Sequence, residues 1–179
     1  MQPFVYRMHI LGLGILMSPI VGAFGIQLTG DMPCPLCLLQ RIAMFIMGMG
    51  AMLNLRFGIK TAHYGYCIFG GIFGLLLSSR QILLHICETP GSGYGGSVAG
   101  IHLYTWALIV FLCFLIAVGV FLLLPVDEHS PAPLSWENYR PARWMGYFVT
   151  GLALLQVIAT FLECGPFQCP DNPTGYWIL

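Results

Sequence analysis

Cys34 and Cys37 sit three residues apart in the run Pro33-Cys34-Pro35-Leu36-Cys37-Leu38-Leu39-Gln40-Arg41, between two hydrophobic segments. Two thiols this close can form a small-ring disulfide, and such pairs serve redox traffic more often than they staple a fold. A pair that opens a helix meets its unpaired N–H groups and the positive end of its dipole, both of which stabilise a thiolate. Pro35 removes a backbone donor and stiffens the ring. Arg41 follows Cys37 by four residues, so the two side chains share one helix face. A permanent cation there favours a thiolate and would equally stabilise a negatively charged reduced carrier. The plainer alternative is a structural disulfide that caps the helix.

A second constellation is Glu163-Cys164-Gly165-Pro166-Phe167-Gln168-Cys169-Pro170. Gly165 and Pro166 permit a tight turn that brings Cys164 and Cys169 within the roughly 5.5–6 Å Cα separation a disulfide prefers. Two dithiols facing one compartment suggest a relay by thiol–disulfide exchange, whereas a lone clip on the tail would do nothing chemical. The four sulfurs also have spacings compatible with a four-thiolate zinc site. A third group is Arg80 with its neighbours Gln81 and His85. A cation inside a membrane helix costs roughly 2.5–3.5 kcal/mol at the centre and less near an end. Arg41 and Arg80 therefore either serve a polar site or snorkel to the interface.

The elements that hold these residues follow from composition. The 179 residues are 58% hydrophobic and 8% charged, with seven Lys+Arg against seven Asp+Glu. A soluble domain carries about 25% charged residues, so this chain is an integral membrane protein of one domain, residues 1–179. Zero net charge and so few cations leave no basic face for nucleic acid. A crossing needs about 20 apolar residues. Five segments qualify, at roughly 8–28, 39–57, 64–86, 103–124 and 144–163, which predicts an all-α polytopic bundle in a lipid bilayer. The first has an apolar run longer than a signal peptide's.

Charge sorts the connections. Arg7, Arg56, Lys60, Arg140 and Arg143 flank alternate helix ends, while 29–38, 87–102 and 164–179 contain no Lys or Arg. The positive-inside rule then predicts a cytoplasmic N-terminus and an outward C-terminus. Cys34, Cys37, Cys87, Cys164 and Cys169 fall on the outer, oxidising side, where disulfides persist. Cys87 is the odd sulfur there, a free thiol or an alternate exchange partner. Cys67 and Cys113 read as small packing residues. The outer stretch 89–97 is glycine-rich, and the inner connection from Asp127 to Pro141 is proline-bearing.

The run from Pro33 to Arg41 resembles the signature of the disulfide bond formation protein B (DsbB) family, quinone-dependent thiol oxidases of bacterial inner membranes. Ser79-Arg80-Gln81-Ile82-Leu83-Leu84-His85 is similar to the end of that family's third helix, and Gly100-Ile101-His102-Leu103-Tyr104-Thr105-Trp106 to the opening of its fourth. The resemblance spans about residues 8–124. It implies a four-helix core, here with a fifth transmembrane helix. It also implies electron flow from a periplasmic thioredoxin-fold dithiol oxidase of the DsbA type to ubiquinone or menaquinone in the membrane pool. By position, Cys37 would contact the quinone with Arg41 stabilising that contact, and Cys34 would exchange with the second pair. Arg80 and His85 are further candidates for holding the quinone, expected beside helices 2 and 3. Family members usually carry their second pair between helices 3 and 4. Here that loop holds only Cys87, so Cys164 and Cys169 are expected to replace the missing pair. The direction of flow depends on relative potentials, so a membrane reductase is the alternative within enzymes, and a zinc-binding or structural subunit the alternative outside them.

Overall fold

The structure is a computed structural model and describes residues 2–30, 32–86, 97–124, 136–167, 169, 175 and 176. Cys87, all but Ser97 of the glycine-rich stretch and residues 125–135 lie outside the described residues. The five helices are α1 (Gln2–Leu28), α2 (Pro35–Phe57), α3 (Thr61–His85), α4 (Leu103–Leu123) and α5 (Arg140–Cys164). All five are long and apolar enough to cross a membrane, and the chain is a multi-pass membrane protein. Four helices begin earlier than hydropathy marks: at Gln2, Pro35, Thr61 and Arg140, where 8, 39, 64 and 144 were expected. Hydropathy registers only the stretch that lipid can cover, whereas backbone hydrogen bonding continues into the polar flanks. Pro35 and Pro141 sit in the first turns of α2 and α5, where a missing N–H is harmless.

Glycine sets how closely the core helices approach. A Cβ on Gly70 would run into the backbone of Met47 and Ala43 on α2, and one on Gly74 into the ring of Phe111 on α4. This Gly-x-x-x-Gly stripe lets α3 lie tightly between α2 and α4, as small residues do in membrane bundles. Phe111, Met17, Leu13 and Leu55 fill the interior. α1 closes the bundle against α2, and α5 rests on α1 and α2. Pro19 interrupts α1, and the Ser18 hydroxyl donates to the Ile15 carbonyl that Pro19 leaves without its helical partner (2.8 Å). Outward-facing positions such as Leu11, Phe69, Leu76, Ile116 and Val157 are apolar and exposed, as a lipid-facing surface requires.

A two-stranded hairpin, β1 (Ser97–Val98) and β2 (Ile101–His102), precedes α4 and was not expected from the sequence. Its turn residues Ala99 and Gly100 both have positive φ (54° and 75°), the geometry of a tight two-residue hairpin loop. The indole of Trp106 donates to the Val98 carbonyl at 3.0 Å and ties the hairpin to α4. The antiparallel course of α1–α4 brings the end of α1, the start of α2, the end of α3 and the start of α4 to one end of the bundle. The end of α5 joins them there. Arg56, Lys60, Arg140 and Arg143 stand at the opposite end.

Candidate functional site

Cys34 is the N-cap of α2. Its extended backbone (φ −72°, ψ 161°) turns the sulfur back to accept from the Cys37 N–H at 3.3 Å, while Pro35 takes the first helical position. The sequence Cys-Pro-x-Cys therefore places both sulfurs at a helix N-terminus, with Sγ atoms 2.8 Å apart as a dithiol. The hydrogen bond with Cys37, followed by burial, pushes the Cys34 thiol well up from the usual thiol range.

Four glutamines crowd this pair and its neighbour Arg41. Gln81 of α3, buried, donates its amide to Cys34 Sγ (3.3 Å) and Cys37 Sγ (3.4 Å). Its carbonyl oxygen accepts from Gln40 Nε2 at 2.8 Å, which fixes the amide's orientation. Arg41 is only 6% exposed, although it carries a full charge inside a membrane helix. Its Nη1 donates to Gln27 of α1 and Gln156 of α5, both at 3.2 Å, and its guanidinium lies 5.1 Å from the centre of the Phe24 ring. Gln27 in turn donates to Glu163 of α5 at 3.4 Å.

A small cleft of about 100 Å³ opens beside Cys37. Pro19, Ile20 and Ala23 of α1 wall it on one side, Tyr104, Trp106 and Ala107 of α4 on another, with Cys37, Gln40 and Arg41 of α2 between them. The cleft thus lies between α1, α2 and α4. α3 reaches the sulfurs from the other side, through Gln81. Arg80 is exposed and does not line the cleft. One helical step rotates a side chain by about 100°, so it is the neutral Gln81 that turns inward. His85 stays behind the wall, with its ring stacked 5.6 Å from Tyr104, which lines the cleft.

Cys164 and Cys169 are joined in a disulfide with Cα atoms 4.5 Å apart, across the turn that Gly165 begins with φ 62°. Cys164 is buried at the end of α5, next to Glu163. The two cysteine pairs stand at the same end of the bundle, bridged by the chain Arg41–Gln27–Glu163. No hydrogen bond joins the pairs directly among the described residues. Cys67 is buried beneath Gly50 and Cys113 is exposed on α4, both far along the helices from the other sulfurs. Among the described residues no group of three or more His, Cys, Asp or Glu side chains is arranged to hold a metal ion.

Gln27, Gln40, Gln156 and Glu163 did not emerge as site residues from the sequence. The available signal was their polarity inside apolar helices, where each unpaired amide or carboxyl group is costly and marks a site by default.

The family model for disulfide bond formation protein DsbB matches residues 6–92. A "Disulfide bond formation protein B 1" of Pseudomonas fluorescens strain Pf0-1 is 27% identical over 127 residues, 70% of this chain and 62% of the relative. A protein of the same name from strain Pf-5 is 28% identical over 131 residues, with the same shares of each chain. The chain therefore spans about 62% of the length of these curated relatives. No solved structure matches. Residues 6–92, which carry α1–α3 and the Cys34–Cys37 pair, are thus similar to the DsbB family of disulfide bond formation proteins.

Proposed function

We propose that this protein is a thiol:quinone oxidoreductase of a bacterial inner membrane, with its N-terminus cytoplasmic and its C-terminus periplasmic. It reoxidises a DsbA-like thioredoxin-fold dithiol oxidase and passes the electrons to ubiquinone or menaquinone, sustaining disulfide bond formation. The observation that carries the reading is the Cys34–Cys37 dithiol at the N-terminus of α2, one sulfur lining an apolar cleft that also holds a buried arginine.

The residues fit the head of a quinone. The walls are apolar and aromatic, Arg41 offers N–H donors to a carbonyl oxygen, and Cys37 borders the same space. The cleft is of a size for a ring rather than an isoprenoid tail, which the surrounding lipid would solvate. Such a group, when bound, supplies a two-electron, two-proton acceptor that no side chain can replace. The guanidinium of Arg41 balances negative charge at the sulfur or at the ring, and its burial in low dielectric strengthens that effect.

The thiol steps conserve electrons throughout. One thiolate of the partner attacks the Cys164–Cys169 disulfide, forming a mixed disulfide and releasing the other tail sulfur, which takes up a proton. The partner's second thiolate then closes its own disulfide and frees both tail cysteines as thiols. Cys164, the buried sulfur nearer the bundle, attacks Cys34 of an oxidised Cys34–Cys37 pair and displaces Cys37 as a thiolate. Cys169 resolves the Cys164–Cys34 bond, leaving the tail oxidised and Cys34 and Cys37 reduced. Cys169 lies beyond the helix and is the sulfur a soluble partner would meet first. The test is to mix purified protein with a reduced thioredoxin-fold dithiol and a soluble quinone. Loss of quinone absorbance in step with partner oxidation is expected, and an inert mixture would defeat the reading.

A further inference from the structure

The fifth helix does more than carry the tail cysteines. Resting on the function proposed above, we infer that α5 completes the quinone site: Gln156, together with Glu163 acting through Gln27, positions the guanidinium of Arg41 toward the cleft.

An arginine side chain has five N–H donors in a rigid planar fork. The two on Nη1 are taken by the carbonyl oxygens of Gln27 and Gln156, each at 3.2 Å. Those on Nε and Nη2 make no hydrogen bond with any described residue, and Arg41 lines the cleft. The Phe24 ring covers one face of the fork. Pinning one nitrogen of a planar group from two directions fixes the direction in which the remaining donors point.

Both pinning amides are themselves oriented by α5. Gln156 donates its NH₂ to Thr160 one turn along, at 3.0 Å, which turns its carbonyl oxygen to Arg41. Gln27 donates its NH₂ to Glu163 and is held the same way. Without these two acceptors either amide could flip and present N–H to the guanidinium, a repulsive contact. Glu163 is 2% exposed and its second oxygen has no hydrogen-bond partner among the described residues. A buried carboxyl group beside a buried cation would be costly if packing were its sole role. The half of the fork left open suits a carbonyl or anionic oxygen on a flat ring, which is the chemistry of a quinone head.

The test uses the full chain in detergent with both cysteine pairs oxidised, so that a short-chain ubiquinone binds without being reduced. Its Kd is read from quenching of tryptophan fluorescence, since Trp106 lines the cleft. Replacing Gln156→Leu should weaken binding about tenfold, the order expected for one hydrogen bond to a charged group. Gln156→Glu keeps an acceptor and should recover most of the loss. In an Arg41→Gln background, Gln156→Leu should cost nothing further, because a positioning residue acts only through the group it holds. A Kd within twofold of wild type for Gln156→Leu overturns the inference, as does a full additional loss on top of Arg41→Gln. A wild-type protein that binds no quinone defeats the proposed function itself, and this inference with it.

Discussion

The two ends of the bundle each bury a polar cluster, and the clusters are built differently. At the cation-rich end Asn54 is fully buried and every polar atom of its side chain is used. Its NH₂ meets His9 Nε2 at 3.1 Å, and its oxygen accepts from His63 Nδ1 at 2.8 Å and the Lys60 N–H at 3.1 Å. His9 donates its other nitrogen to the Val5 carbonyl at 2.8 Å. That closed network joins α1, α2, α3 and the turn between the last two. At the cysteine end the bonds run mostly from 3.2 to 3.4 Å, and the network is left open at Glu163 and on half of the Arg41 fork. A buried network with every group met fixes geometry, whereas one with groups left over is equipped to meet something else. Under the function proposed above, the Asn54 network serves to hold the fold and the cysteine end serves the chemistry.

The largest expected contrast is at Cys37. Cys37→Ser removes the sulfur that closes the Cys34–Cys37 disulfide, and quinone reduction should fall to the uncatalysed background while the protein still inserts and folds. Turnover within tenfold of wild type would remove Cys37 from the pathway. Next come the tail sulfurs. Cys164→Ser and Cys169→Ser should each stop reoxidation of the protein partner, followed by thiol trapping in cells, yet leave oxidation of a small dithiol such as dithiothreitol in place. Those small molecules can reach Cys34–Cys37 without the tail. Full partner oxidation in both variants would mean that the tail disulfide is a clip and that Cys34–Cys37 meets the partner directly.

Gln81→Leu should have a smaller effect. The amide donates to both sulfurs, which stabilises the reduced pair, and its loss should make Cys34–Cys37 less oxidising by about 30 mV, equivalent to about 1.4 kcal/mol for two electrons. Equilibration against thiol buffers of known potential reads this directly. A potential unchanged, or shifted upward, would show that Gln81 packs against the sulfurs without tuning them.

How the sequence announced these parts follows from their physics. Cys34, Cys37 and Arg41 lie within about two turns at the start of a single helix, so spacing alone assembled them. The five crossings and the segregation of Arg56, Lys60, Arg140 and Arg143 from the cysteines were equally legible, because both depend on composition along the chain. Arg41's partners were not, since Gln27 and Gln156 are 14 and 115 residues away and meet it only through the register of packed helices. The same limit hid Gln81 behind Arg80. A charge attracts notice in a hydrophobic run, but rotation about the helix axis decides which neighbour faces inward. The cleft between α1, α2 and α4 was invisible for a related reason: it is a gap left by packing, and no residue pattern encodes a gap.

The smallest effect on catalysis is expected from the end that looks most elaborate. Asn54→Leu removes both the donor to His9 and the acceptor for His63 and Lys60, leaving buried groups unmatched on two other elements. Each unmet buried group costs about 1–3 kcal/mol, so the detergent-solubilised protein should melt several degrees lower. The rate of quinone reduction per folded molecule should stay within twofold, because the cluster lies at the far end of α2 from Cys37. If Asn54→Leu instead slowed turnover tenfold with an unchanged melting temperature, the division between a holding end and a reacting end would be wrong. The His9 ring would then be a participant, since its Nε2 is the one basic atom that Asn54 keeps occupied and that this substitution would release.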